Sequence, residues 1–326
     1  MTGGLALAVL LAAPARASTF LENLHRAESR DAKDPERVEF ASRAIRAWTP
    51  SDGPALLADA RFRRGEGEFA AWNDAAAEMD LSEALKLDER NDAALLLRAR
   101  VRLRDGRAPG AEADFASYAG ARPDDGEGWL GLAEARLARG LPRADRPALD
   151  AAGRAAKLLD DGDPRPRIAE GRAQFAAGRR RKALDAFERA VAAARPPSAD
   201  ALAWRARAKA ALGDPRGARD DGALAAESYE RALDDLRRAR APAPASADVR
   251  GLLADVRYRR GGTEEKLSLI GDAREDYRLA CDLGREDACA RAAVLAPRAA
   301  APAPKRKKRR FVPNPAGDSG TRIYAN

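Results

Sequence analysis

The sequence predicts an all-α chain built from tandem antiparallel helix-turn-helix units. Of its 326 residues, 45% are hydrophobic but only 5% aromatic, and 34% are charged. This composition is typical of an Ala-rich helical array rather than of one compact core. The alternating Val, Ile and Thr pattern that marks strands is not seen. A third observation is a 34-residue unit, from Pro164 to Pro197, whose pattern recurs along the chain.

The unit from Pro164 to Pro197 shows the helix-turn-helix pattern most clearly. Gly171 lies in the first helix, where a small residue lets a second helix approach closely, and Gly178 marks the turn. The second helix follows an A-x3-F-x2-A spacing, which places two small residues and one aromatic on a single face. These residues are Ala183, Phe187 and Ala190.

A unit this short cannot bury its apolar face alone, so stability requires neighbouring copies. The segment from Asp92 to Asp125 repeats the same offsets, with Ala99, Ala111 and Phe115 in the matching positions. The next segment opens with Trp129, Leu132 and Ala133.

Together these pieces resemble the tetratricopeptide repeat, whose pattern is W-x2-L-G-x2-Y, then A-x3-F, then P. The resemblance covers Ser18 to Leu295, in about six repeats. It implies an α-solenoid in which the first helices of successive repeats line a concave groove. Such grooves take an extended peptide or a partner's helix.

Residues 1–17 are predicted to be an export signal. An apolar run from Leu5 to Ala13 precedes the A-x-A cleavage pattern of Ala15 to Ala17, although Lys and Arg are missing before the run. Nine apolar residues are too few to span a bilayer. The alternative is an ordinary apolar N-terminus. We therefore expect a periplasmic or secreted protein, or a cytoplasmic one if the signal is not used.

Three repeats have a longer spacing between the small residues of their two helices. The spacing is 19 positions there, against 12 from Ala99 to Ala111. Seven residues make about two helical turns, so one extra turn in each helix would keep the apolar faces in register. The alternative is a protruding loop, for instance from Gly65 to Asn73. The three pairs are Ala58 and Ala77, Ala206 and Ala225, and Ala254 and Ala273.

Cys281 and Cys289, the only cysteines, flank Gly284 near the end of the last repeat. The segment resembles cysteine-bearing repeats, related to tetratricopeptides, of exported bacterial proteins, in which the pair forms a disulfide. Closing so short a loop stabilises a fold by roughly 2–3 kcal/mol in the chain-entropy model. The alternative is two reduced, buried thiols. A redox-catalytic pair is disfavoured because the spacing is not C-x-x-C.

Residues 297–326 form a separate basic tail, following the solenoid of residues 18–296. Eight basic residues and one Asp give the tail a charge of +7, against +8 for the whole chain. Its Ala, Pro and Gly content predicts an extended, disordered segment. Its basic run could contact an anionic membrane, an acidic wall polymer or nucleic acid, or it could be solvated without a partner. The run comprises Lys305, Arg306, Lys307, Lys308, Arg309 and Arg310.

The sequence contains no recognisable catalytic or cofactor site. The chain has a single histidine, His25, and no partners that would complete a Ser-His-Asp set are evident. The sequence also contains no phosphate-binding loop and no Cys/His metal cluster. Many acids lie four positions before an Arg, as Asp185 does before Arg189, and this spacing is typical of helix-surface ion pairs. We therefore predict a protein that is not an enzyme and has no cofactor or metal.

Candidate binding residues follow from the predicted register of the first helices. In each repeat the position after the small residue, at Ala99, Gly171 and Ala206, is expected to face the groove. An Arg-lined groove suits a carboxylate-bearing or acidic partner. The alternative is that these arginines only solvate a helix face. The predicted groove residues are Arg100, Arg172 and Arg207, with Arg104 one turn on, and at equivalent positions Glu134, Asp59 and Asp255.

The functional prediction is a non-enzymatic scaffold for protein-protein contacts in the bacterial envelope. The Lys and Asn pattern of the family's carboxylate clamp is missing from the groove positions, so that mode of recognition is not expected. The alternative is a protein that binds an envelope polymer or an anionic membrane surface through its basic tail. Nucleic acid is a partner only if the chain stays in the cytosol.

Overall fold

A computed structural model describes residues 19–29, 33–140, 145–238 and 243–296. The predicted signal and the basic tail with Lys305 to Arg310 lie outside these residues. Within them, all regular structure is helical, which confirms the all-α class. Fifteen α-helices occur in the described residues, with a short 3-10 turn at Pro50–Asp52.

The helices run as follows. The first, α1, spans residues 19–28. The others are α2 Asp34–Ala47, α3 Pro54–Ala70, α4 Asp74–Leu87, α5 Asp92–Arg104, α6 Ala108–Ala121, α7 Gly126–Ala138, α8 Asp145–Leu158, α9 Arg165–Ala176, α10 Arg180–Ala193, α11 Ala199–Leu212, α12 Pro215–Arg238, α13 Ala243–Lys266, α14 Ile270–Asp282 and α15 Glu286–Val294.

Packing is sequential along the chain, as the solenoid prediction requires. From α2 onward, each helix packs against the next. The odd-numbered helices from α3 to α13 also contact the next odd-numbered helix. These first helices of successive repeats therefore form an inner layer, and the even-numbered helices lie outside it.

Three hairpins are locked by a glycine in the first helix and a large residue 16 positions later in the second. A Cβ placed on Gly171 would stand 2.4 Å from the ring of Phe187. The same lock joins Gly65 to Leu81, at 3.0 Å, and Gly261 to Tyr277, at 3.1 Å. Glycine is therefore required by close helix approach, not by backbone conformation.

The locks correct the predicted register of the long repeats. Measured from Gly65 to Ala77, the spacing is the usual 12 positions, and Ala58 lies two turns earlier on the same helix. The same holds from Gly261 to Ala273. The extra length falls in one helix of each pair, because α3 has 17 residues and α13 has 24, while α4 and α14 have 14 and 13.

The remaining long repeat follows the same rule with the helices exchanged. Ala206 pairs in register with Ala218, and Ala225 lies two turns further along α12, which has 24 residues against 14 in α11. The prediction of one extra turn in each helix is therefore wrong. The loop alternative is also wrong, because residues 65–70 are helical.

Four hairpins share a buried ion pair that the sequence analysis missed. In each, an arginine of the first helix donates two hydrogen bonds to an aspartate 16 positions later, in the second helix. The aspartates are at most 5% exposed. The recurring 16-residue offset was the available signal. The pairs are Arg64–Asp80, Arg98–Asp114, Arg205–Asp221 and Arg260–Asp276.

One acid-arginine pair at i,i+4 spacing, Asp185 and Arg189, has a different partner in the structure. Arg189 pairs with the Glu170 carboxylate of the preceding helix, at 2.9 Å. Its Nε donates only to the backbone carbonyl of Asp185. This predicted surface pair is therefore replaced by a contact between helices.

Cys281 of α14 and Cys289 of α15 are joined by a disulfide, with the two sulfurs 2.05 Å apart. Gly284 lies in the turn between them with φ +100°, a conformation that favours glycine. The bond therefore ties the last described helix to the rest of the solenoid. For the residues that the structure describes, each helix is too short or too polar to cross a bilayer.

Candidate binding groove

The inner layer places the five predicted groove residues on four successive odd-numbered helices. Two separate cavities border these helices, and the residues divide between them. Arg100, Arg104 and Glu134 line one cavity, Arg207 lines the other, and Arg172 of α9 lies between.

Arg104 is already engaged within the chain. Its guanidinium donates to both carboxylate oxygens of Asp74 and to the carbonyl of Phe69, at 2.9 Å. The same group lies over the Phe69 ring at 3.7 Å and the Trp72 ring at 4.4 Å. Arg104 therefore fastens α5 to the α3–α4 turn, and we leave it out of the binding surface.

Arg100 occupies an exposed ion pair at the edge of the groove. It donates to Glu127 at 2.8 Å, and Arg165 donates to the same carboxylate at 2.6 Å. Exposed pairs of this kind contribute little stability, typically about 0–1 kcal/mol, so they can exchange partners. Arg100 can therefore join a bound partner without a large loss to the fold.

Glu134 is a half-buried carboxylate on α7. Among the described residues it makes no hydrogen bond and no ion pair. Burial raises its pKa, while the charges of Arg172 and Arg165 act in the opposite direction. The neighbouring cations are thus close enough to influence Glu134 but do not neutralise it by direct contact.

Arg172 and Arg207 are half-buried cations without an ion pair among the described residues. Their guanidinium groups lie over the Trp204 ring, at 5.4 and 4.7 Å, and Arg207 also lies over Phe175 at 5.4 Å. Trp204 is in turn stacked on Phe187, with ring centroids 5.8 Å apart. Aromatic faces hold such cations in place without neutralising them.

The electrostatics of Arg207 reflect a local excess of positive charge. Burial lowers the pKa of Arg207, and the nearby cations Arg259 and Arg172 lower it further, while Asp255 opposes them. Asp255 is committed elsewhere, since it accepts hydrogen bonds from Arg259 and Arg285, each at 2.6 Å. Burial opposes ionisation of Asp255, but these two arginines outweigh it and lower its pKa.

The corrected register also moves two of the proposed acidic equivalents. Counted from Gly65 and Gly261, the positions that match Arg100 are Glu66 and Gly262. The predicted residues Asp59 and Asp255 lie two turns earlier on the same helices. Burial, followed by a hydrogen bond with Glu28, raises the pKa of Asp59 to about 6.

The described residues offer no arrangement of three or more His, Cys, Asp or Glu side chains that could hold a metal ion. His25 has 90% of its side chain exposed, 3.9 Å from Glu28. The groove therefore presents two cations, Arg172 and Arg207, that lie over the Trp204 ring.

Two solved structures are similar to the chain over most of its length. A tetratricopeptide repeat protein from Parabacteroides merdae ATCC 43184 is 14% identical, covering 85% of this chain and 98% of that one, with a TM-score of 0.61. PilW, a type IV pilus biogenesis factor, is 16% identical, covering 72% and 97%, with a TM-score of 0.55. No protein-family model and no curated protein sequence matches the chain. At such identities the likeness shows the fold alone.

Proposed function

We propose that this chain, which has the tetratricopeptide-repeat fold, is a non-enzymatic scaffold that binds an acidic segment of a protein partner along its inner face. The observation that carries the proposal is the pair Arg172 and Arg207. Both are half-buried, lack an ion pair among the described residues and lie on the Trp204 ring. A carboxylate would supply the charge partner that the fold leaves out.

The geometry favours binding for an energetic reason. Side chains that are ordered only on binding cost about 0.5–1.5 kcal/mol each. Trp204 holds both guanidinium groups before a partner arrives, which reduces that cost. A planar guanidinium can also bind a carboxylate through two parallel hydrogen bonds. Glu134, near Arg172, adds a preference for a donor or cation next to the acidic group.

The proposed location is the bacterial envelope. The apolar run from Leu5 to Ala13 and the cleavage pattern at Ala15 to Ala17 support it, and the Cys281–Cys289 disulfide suits an oxidising compartment. Intact mass of the protein from its native host tests this. A mass that begins at Ser18, with both cysteines unreactive toward a thiol reagent, is expected. A mass that retains Met1, with two reactive thiols, contradicts export.

Partner binding is tested by reversing the groove charges. The variant Arg172→Glu with Arg207→Glu should lose partners captured by photo-crosslinking in the native host. The matched control reverses two exposed arginines of the outer helices, Arg181→Glu with Arg216→Glu, which have no ion pair among the described residues. Equal crosslinking by the two double variants, both folded by circular dichroism, would contradict groove binding.

A further inference from the structure

The cavity between α11, α12 and α13 arises because one hairpin lacks its large locking residue. Position for position, the other locked hairpins carry Leu81, Phe115, Phe187 or Tyr277 in the second helix. In α12 the corresponding residue is Gly222. Ala206, Ala218 and Gly222 form part of the wall of a cavity of about 340 Å³.

Buried ion pairs fix the positions of the helices that form the walls of this cavity. Arg205 donates to both oxygens of Asp221, at 2.8 and 2.6 Å, which fixes α11 to α12. Arg260 makes the corresponding pair with Asp276 and fixes α13 to α14. The stem of Arg260 lies 3.6 Å from where a Cβ of Gly222 would be.

The cavity has an apolar interior and a positively charged margin. Trp204, Val256 and Leu252 supply apolar surface. Arg207 and Lys266 also line it, and neither has an ion pair among the described residues. The acids at the margin are occupied, since Asp255 binds Arg259 and Arg285, and Asp200 accepts a hydrogen bond from the Tyr229 hydroxyl.

Size and charge together define the class of ligand. A cavity of about 150 Å³ is enough to hold benzene, so this one can hold a two-ring aromatic or an alkyl body of similar size. Small-molecule sites are mostly apolar with a few placed polar groups, and this cavity lies within their usual range of about 300–1,000 Å³. The unpaired cations at the margin select an anion.

We propose that the cavity binds a small organic acid, whose apolar body takes the place of the missing aromatic residue and whose carboxylate meets Arg207 and Lys266. The neighbouring guanidinium of Arg172 adds to the positive potential there. This site shares Trp204 and Arg207 with the proposed groove surface, while its apolar body lies between α11, α12 and α13. The acid and the carboxylate of a bound peptide would therefore compete for Arg207.

The experiment uses 3-(2-naphthyl)propionate as the probe and its uncharged amide for comparison, with the full chain. Isothermal titration should give one site with a Kd on the order of 0.1–1 mM for the acid. Gly222→Phe, which restores the missing ring, should weaken binding at least tenfold. The matched control is Gly153→Phe, at an exposed glycine of α8 with no neighbour within 4 Å of its added Cβ, which should bind as the parent does.

The role of charge is measured with Arg207→Gln. This variant should weaken binding of the acid at least tenfold and leave binding of the amide nearly unchanged. Equal loss for both probes would contradict the proposed carboxylate contact.

The cavity itself is tested independently of that contact. If Gly222→Phe does not fold, as judged by its circular dichroism and thermal transition, the smaller Gly222→Leu replaces it. Unchanged binding to a folded cavity-filling variant would overturn the proposal. So would the failure of the parent protein to bind the acid at millimolar concentration.

Discussion

The hairpins α5–α6 and α11–α12 share one frame, by which we mean the buried arginine-aspartate pair that joins the two helices. They differ in the residue that packs between those helices. Each has the buried arginine-aspartate pair, Arg98–Asp114 in the first and Arg205–Asp221 in the second. Each adds a second cation to the same aspartate, Arg102 at 2.8 Å and Lys209 at 2.9 Å. These two hairpins therefore have the buried ion pair in common, whereas only the first has the large aromatic residue.

We call a hairpin closed when a large side chain fills the space between its helices, and open when a cavity lies there instead. In α5–α6 the Phe115 ring is fully buried and packs so closely on α7 that a Cβ on Gly131 would stand 2.2 Å from it. In α11–α12 the matching residue is Gly222, and a cavity takes the place of the ring. The solenoid can thus give up one large core residue locally without losing the hairpin.

The largest expected effect comes from breaking the frame itself. Removing one partner of a buried ion pair leaves the other charge uncompensated, at a typical cost of about 3–5 kcal/mol. We expect Asp114→Ala and Asp221→Ala each to lower the free energy of unfolding by about this amount, as measured by urea denaturation. Asp220→Ala, at an exposed neighbour, is the control. A loss below about 1 kcal/mol at either buried site would show that the pair does not hold the hairpin.

The hairpin α13–α14 has the same frame, Arg260–Asp276, but carries an acid where the other two hairpins carry the second cation. At the position held by Arg102 and Lys209, the hairpin α13–α14 carries Glu264, which is 4% exposed. Burial, and then the charge of Asp276, raises the pKa of Glu264 to about 7 from an ordinary 4.5. Asp272 adds to this effect, and Arg260 and Arg219 oppose it.

The raised pKa makes this frame sensitive to pH. Because the folded chain binds the Glu264 proton more tightly than the unfolded chain, stability falls as pH rises from about 4.5 to about 7. Glu264→Gln should remove this dependence and exceed the parent's stability at pH 8 by on the order of 2 kcal/mol. Urea denaturation at pH 5 and pH 8 measures both. A parent that gains more stability than the variant between these values would contradict the assignment.

The sequence predicts the hairpins well because their signals are local. The A-x3-F spacing of Ala183 and Phe187, and the turn glycine Gly178, depend only on residues within one repeat. The register of the long repeats was less accessible. An Ala-rich helix offers several small residues on one face, and only the packing of Leu81 shows that Gly65, not Ala58, is the lock.

The binding groove could be predicted only in part. Arg104 and Arg207 were placed on the inner helices by the same repeat pattern. Their states differ because Arg104 binds Asp74, which lies 30 residues away in sequence, whereas no acid of the described residues forms an ion pair with Arg207. Contacts between separate helices decide which cations stay unpaired, and repeat spacing does not contain that information. The buried pairs, in contrast, repeat at a constant offset that the sequence displays.

The contact between the closed hairpin and α7 should not tolerate the addition of a single methyl group. In Gly131→Ala the new Cβ would stand 2.2 Å from the Phe115 ring, so the helices must shift. Overpacking of this kind costs about 1–3 kcal/mol, more than the gain in helix propensity. Thermal and urea denaturation should show a net loss of stability. Gly153→Ala, at an exposed helical glycine, should show a gain instead, and a gain at Gly131 would contradict the tight packing.

The open hairpin should accept the same substitution. The atoms nearest to a Cβ on Gly222 belong to the Arg260 side chain, at 3.6 Å, which is an ordinary contact. Replacing an interior helical glycine by alanine stabilises a helix by about 0.5–1 kcal/mol, so Gly222→Ala should raise the free energy of unfolding by that small amount. Measured beside Gly131→Ala, it gives opposite signs for one chemical change, in one case against the filled hairpin and in the other inside the open one. A loss at Gly222 would mean that the wall of the cavity has no room for a methyl group, and the contrast between a closed and an open hairpin would fail.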